Sequence, residues 1–214
     1  TGGASEYWGT HGDGAGIYNR SCSPTIRNCR ITGNAAARWG GGMYNTFSSS
    51  PRIKDCRFED NIAGIYGGGV ANYGNCLATF ARTDFVNNRA DSLNPASGGA
   101  MANSVGCHVV ITDCEFRSNT AKEYGGAVYN WYDSSPTFHN CLLVGNQAQS
   151  YSGGAISNIE NCHPVLRNCT ISSNTANGFA GRGGALFSWK NSDPVLYNSI
   201  LWGNQASEYP EVYN

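Results

Sequence analysis

An all-β solenoid, in which short parallel strands coil about one axis, is what this sequence predicts, on three observations. The chain repeats itself at a nearly fixed interval, and each repeat alternates apolar and polar residues with a period of two. The composition is also hostile to helices: 28 Gly and 24 Asn make up about a quarter of the 214 residues, whereas the good helix former Lys occurs three times. A net charge of −1 removes the electrostatic footprint that nucleic-acid binding or polybasic membrane docking needs. No apolar run approaches the roughly 18 residues of a membrane-spanning helix, and no charged start followed by an apolar stretch suggests an export signal within these residues.

The repeat has two signatures. A glycine-rich run followed two residues on by Asn appears as GAGIYN (14–19), GGGMYN (40–45), GGGVAN (67–72), GGAMAN (98–103), GGAVYN (125–130) and GGAISN (153–158), then weakens to GGALFS (183–188). Its apolar member, from Ile17 through Met43, Val70, Met101, Val128 and Ile156 to Leu186, recurs at steps of 26, 27, 31, 27, 28 and 30 residues. The second signature is an Asn present in all seven units (Asn34, Asn61, Asn88, Asn119, Asn146, Asn174, Asn204), with Ala two residues later. Extra length falls between that Ala and the next Gly pair, as in DSLNPAS (91–97) and NGFAGR (177–182), so this corner of each unit is a loop.

Within a unit, alternation marks three short strands. In the first unit Ile17 points inward from strand one with Tyr18 outward, Ile26 points inward from strand two, and Cys29 and Ile31 point inward from strand three. Asn28, Asp55, Asp113, Asn140, Asn168 and Asn198 sit at the bend between strands two and three, with Arg82 as the exception. These short polar side chains tolerate left-handed backbone, and stacked on one another they can form amide ladders. One unit cannot bury its own apolar face, so stability comes from neighbours above and below. The expectation is a single domain over 1–214, with coils starting near 14, 40, 67, 98, 125, 153 and 183 and a partial eighth at 210–214. Seven coils at about 4.8 Å each make a rod of roughly 34 Å.

These residues resemble the right-handed parallel β-helix proteins, and among them the polymorphic outer-membrane-protein repeats with their GGA(I/L/V) and FxxN tetrapeptides. Here those read GGAI (153–156), FEDN (58–61), FVNN (85–88) and FRSN (116–119). NSILWGN (198–204) is similar to the closing coil of choice-of-anchor bacterial surface proteins. The resemblance covers nearly the whole chain and implies a right-handed parallel β-helix of about seven coils, exported to the outside or outer surface of a bacterial cell. It also implies a test for catalysis, because polysaccharide lyases and hydrolases share the fold and bring carboxylates together on one face, often with calcium.

The best pair of that kind is Asp84 and Glu115, which occupy one outward column on successive coils. Arg57, Arg82 and Arg117 lie near them, so a surface charge ladder accounts for both acids equally well. His11, His108, His139 and His163 are scattered, no Cys-x-x-Cys occurs, and HGDG (11–14) appears once where calcium loops come in tandem; no metal or other cofactor is expected. The nine Cys form two columns. Cys29, Cys56, Cys114, Cys141 and Cys169 read as small core filler. Cys22, Cys76, Cys107 and Cys162 alternate with Ser49, Ser134 and Ser192, and only Cys76 and Cys107 are on adjacent coils there, close enough for a disulfide to be expected.

Aromatic residues gather at one edge. Trp39, Tyr66, Tyr124, Tyr151 and Phe179 precede the Gly pairs, and Tyr18, Tyr44, Tyr129 and Phe187 project from strand one. They either shield bare glycine backbone or offer ring faces to sugars, and Trp39, Tyr66, Tyr124, Tyr151, Tyr18 and Tyr44 are the candidate ligand contacts. Flat Thr-x-Thr rows of the ice-binding kind are absent. Of the sequons at Asn19 and Asn168, only Asn19 is expected to carry a glycan.

Both termini read in nearly the same phase: ASEY at 4–7 recurs at 206–209, and VYN at 212–214 starts a coil in the manner of 128–130. The expected partners are therefore further coils of the same protein or a second copy stacked end to end, with a surface glycan as a third candidate and neither nucleic acid nor a membrane span. The functional expectation is a non-catalytic, secreted or cell-surface structural or adhesive element, a stalk segment or filament subunit. The alternative is a carbohydrate-binding or polysaccharide-degrading lyase or hydrolase.

Overall fold

A computed structural model of the chain describes residues 4–5, 12–91, 95–179 and 181–214. It is a parallel β-solenoid. Strands stack into four sheets of eight, eight, seven and seven strands, and every pairing is parallel and joins equivalent positions of adjacent coils. In the second coil the four strands are Met43–Thr46, Arg52–Lys54, Arg57–Glu59 and Ile62–Ala63.

The register puts each repeat directly on the last. Ile26 pairs with Ile53, Ile53 with Phe80, Phe80 with Ile111 and Ile111 with Phe138. In the next sheet Phe58, Phe85 and Phe116 stack nearly flat, with centroids 5.3 and 4.6 Å apart and planes within 8°. These columns, with the Met43–Val70–Met101–Val128 column opposite, form one continuous core.

The structure adds a fourth strand per coil where the repeat predicts three. It is the two-residue Ala35–Ala36 type, after each repeated Asn, too short to show any alternation. Cys29, expected in strand three, instead sits at the bend before Arg30–Thr32, and its first-coil position leaves it exposed while its counterparts Cys56, Cys114, Cys141 and Cys169 are buried. Gly68 explains the fixed glycines: a Cβ there would lie 2.4 Å from the carbonyl oxygens of both Arg89 and Gly99, so no side chain fits where the coil passes the fourth sheet.

Asparagine organises the corners in two ways. The bend residues all adopt left-handed backbone, from Asn28 at φ 54° to Asn198 at 46°; Arg82 does so at 45°, braced by hydrogen bonds to Asp55 of 2.7 and 3.1 Å. Deeper inside, two ladders run the length of the rod. In one, the amides of Asn34, Asn61, Asn88, Asn119, Asn146, Asn174 and Asn204 bond in succession at 2.8–3.0 Å. In the other, Asn19, Asn45, Asn72, Asn103, Asn130 and Asn158 bond in succession at 2.7–2.9 Å before Ser188 takes the next place at 3.3 Å. A buried amide costs several kcal/mol unless paired, and stacking supplies each one with an identical partner.

Candidate functional site

The outer face of the first sheet is built from three columns. The central one reads Tyr18, Tyr44, Ala71, Ala102, Tyr129, Ser157, Phe187 and Tyr213. Two residues on, alternation returns to the same face with Arg20, Thr46, Tyr73, Ser104, Trp131, Ile159 and Trp189. The third column comes from residues just before the Gly pairs, among them Trp39, Tyr66 and Tyr124, whose carbonyls accept from the first Gly of the preceding coil.

Rings from these columns touch in an unbroken chain. Tyr18 meets Tyr44 at 5.6 Å between centroids, Tyr44 meets Trp39 at 5.4 Å, and Trp39 meets Tyr66 at 5.9 Å. Tyr66 leans across two coils to stack on Tyr129 at 5.8 Å, which meets Tyr124 at 6.2 Å; Tyr124 meets Phe187 at 6.1 Å, and Phe187 stacks on Tyr213 at 5.4 Å. Tyr151 extends the ledge by stacking on Tyr124 at 5.0 Å. All six sequence-derived ring candidates thus belong to one ledge, whereas Phe179 stands fully exposed. Tyr73, Trp131 and Trp189 were not singled out by sequence, although their spacing of two from the central column is the signal that finds them. Burial pushes the Tyr66 phenol up to about 12 and lifts those of Tyr44 and Tyr129 further, so these rings stay neutral at physiological pH.

Asp84 and Glu115 do face each other across adjacent strands. Each also has an arginine: Arg57 lies 3.6 Å from Asp84, Arg117 is paired with Glu115, and Arg57 and Arg30 both bind Glu59. Partial burial raises the Asp84 carboxyl above its ordinary value, nearby Glu115 raises it further, and Arg57 and Arg117 oppose both. A raised native value means that stability contributed by this group is full at low pH and falls as pH rises through that value. Asp84→Asn should therefore stabilise the rod slightly at pH 7, by less than about 0.5 kcal/mol given solvent screening, and the gain should vanish near pH 3. Melting curves at the two pH values check this; a loss at pH 7 would mean that the Arg57 contact dominates.

The expected Cys76–Cys107 disulfide is absent, for all nine cysteines are free thiols. Their column has another task. The backbone N–H of Cys76 donates to Cys107 Sγ at 3.4 Å, just as the N–H groups of Cys22, Cys107 and Cys162 donate to the hydroxyls of Ser49, Ser134 and Ser192 at 3.0–3.2 Å. Cys107 Sγ donates in turn to Ser104 O. Thiol and hydroxyl are interchangeable in that role, which is why Cys and Ser alternate. Alkylation of the folded protein without reductant should label the exposed Cys22 and Cys29 and spare the other seven until unfolding. Mass mapping reads the result, and a Cys76–Cys107 cross-link would contradict it.

Asn19 needs correction as a glycan acceptor. It is only 5% exposed, and its Nδ2 donates to Asn45 Oδ1 at 2.7 Å at the start of a ladder, so the folded chain offers no free amide there. Asn168 is the exposed one of the two sequon residues. His11 lies outside the described residues, His108 and His163 both bond Ser135, and among the described residues no three His, Cys, Asp or Glu side chains converge as a metal site requires. Among the described residues, no helix is long and apolar enough to cross a membrane.

Comparison with known proteins adds a family. A family model described as "right handed beta helix region" matches residues 6–143. No curated protein and no solved structure matches the chain.

Proposed function

The chain belongs to the right-handed β-helix family, and from that premise we propose that it acts without catalysis, as a structural or adhesive element outside a bacterial cell or on its outer surface. One observation carries this reading: a ledge of touching rings extends from Tyr18 to Tyr213 along a rigid rod, a surface suited to holding an extended partner rather than to enclosing a small one. The rod serves as a stalk segment or filament subunit, joined to further coils or to a second copy through its strand edges. Electron microscopy of the native material tests the assembly: rods in register within longer fibres or appendages are expected, and monodisperse short rods would refute it.

A second reading is favoured by the raised carboxyl of Asp84 facing Glu115, which makes polysaccharide cleavage the alternative. Incubation with acidic and neutral polysaccharides, with and without calcium, separates the two. Unchanged chain lengths are expected; cleavage lost in Asp84→Asn would establish the alternative.

A further inference from the structure

Two recesses open in the aromatic ledge, alike in their rings and different in their charge. The first, of about 320 Å³, is bounded by Tyr18, Trp39, Tyr44, Phe47 and Tyr73. The second, of about 260 Å³, lies among Tyr124, Tyr151, Phe187, Trp189 and Tyr213. In the second, Arg182 lies over the Tyr213 ring at 4.8 Å, but Glu208 binds it at 2.7 Å and cancels its charge. In the first, Asp13 does the same for Arg38, at 2.8 and 3.1 Å. The first recess holds one cation more. Arg20 also lines it, 4.5 Å above the centre of the Phe47 ring, and among the described residues no carboxylate pairs with it.

Two elements set the place of Arg20. It ends the strand Ile17–Arg20 in register with Thr46, on the outward side two residues from Tyr18. Phe47 follows Thr46 at the corner in left-handed backbone, φ 52°, a conformation that a bulky residue adopts at a cost; one coil on, the equivalent place is taken by Gly74. The Phe47 ring is 56% exposed and adds little to the core, so its contribution is to hold the guanidinium by its face. Stacking of that kind leaves the N–H edge free, and that edge matches a carboxylate with two parallel hydrogen bonds. Beside it stand the rings of Tyr18, Trp39 and Tyr73, the last two with centroids 4.8 Å apart, while Tyr44 and Thr46, both buried, complete the lining. A flat ring carrying a carboxylate uses both features at once, whereas a saturated acid uses only the charge and an uncharged ring only the stacking. The volume has room for about one or two rings.

We propose that the first recess binds a small aromatic carboxylate, its carboxylate on Arg20 and its ring among Tyr18, Trp39 and Tyr73. The second recess, its charge cancelled, has no such preference. This site goes beyond the adhesive reading of the ledge and stands without it.

Titration of the folded chain followed by NMR tests the proposal with three probes: trans-cinnamate, its uncharged amide, and galacturonate, a saturated ring of the same charge. Cinnamate should bind roughly tenfold or more tighter than either of the others. Arg20→Gln should bring cinnamate down to the level of the amide and leave the amide unchanged. Phe47→Gly, which copies the next coil and relieves the left-handed backbone, should remove most of the same preference. Arg167→Gln, at an exposed guanidinium that covers Tyr197 outside both recesses, should leave it intact. Melting temperatures of the variants confirm that they fold. Equal affinity for cinnamate and its amide, galacturonate bound as tightly as cinnamate, either groove variant keeping the preference, or absence of binding would overturn the proposal.

Discussion

Asn119→Ala is expected to cost about 4 kcal/mol of folding stability, an effect usually associated with large core residues. The side chain makes four hydrogen bonds: its Nδ2 donates to Phe85 O and to Asn146 Oδ1, both at 2.9 Å, and its Oδ1 accepts from Asn88 N at 2.9 Å and Asn88 Nδ2 at 3.0 Å. Truncation leaves the Asn88 N–H without an acceptor in an interior where Asn88 and Asn119 are both fully buried. An unsatisfied buried group costs about 1–3 kcal/mol, and the other lost bonds add to it. Asn87→Ala is the control, because Asn87 hydrogen-bonds Asp60 along the outer corner in solvent. It should cost only about 1 kcal/mol, mostly because Ala is disfavoured in the left-handed backbone that Asn87 adopts at φ 51°. Denaturant melts of the two variants check the contrast; equal losses would mean that the inner ladder contributes no more than a surface contact.

Phe85→Ala is expected to cost a similar amount, about 4 kcal/mol, by a different route. Phe85 is completely buried between Phe58 and Phe116. Its removal opens a gap in the middle of a column whose neighbours are held in place by their own strands, so the void cannot collapse. Loss of two stacked ring contacts adds about 1 kcal/mol. Phe85→Leu, which keeps most of the volume, should recover more than half of the loss. Denaturant midpoints at unchanged slope measure both, and recovery in neither variant would point to backbone rearrangement instead.

The contrast between these two residues shows what the sequence reveals and what it withholds. Phe85 is legible because an apolar residue at a fixed place in each repeat has one sensible destination. Asn119 is legible as a fixed position, but a lone polar residue reads as surface, and only the stack above and below makes its burial tolerable. The two-residue strands of the fourth sheet are invisible because alternation needs more residues than they have. At the ledge, membership of Trp39 or Tyr66 follows from spacing, whereas the lean of Tyr66 across two coils onto Tyr129 depends on Ala71 and Ala102 leaving room. The expected disulfide failed for a related reason: in-register spacing gives the distance between Cys76 and Cys107 but not what their sulfur atoms bond.

The two buried asparagine ladders have a direction. Each Nδ2 donates toward the next coil in sequence order, from Asn34 to Asn204 and from Asn19 to Ser188, and backbone N–H groups such as that of Asn61 donate to the same acceptor oxygens and fix the orientation. The amide dipoles therefore add head to tail and polarise one another, giving the rod a negative pole at its first coil and a positive one at its last. Glu211 sits at the positive pole, accepting from Asn204 Nδ2 at 2.6 Å, as an acidic side chain does at a helix N-terminus. The ladders that hold each coil therefore also give the rod a built-in direction, with amide oxygens aimed at its first coil and amide donors, closed off by Glu211, at its last.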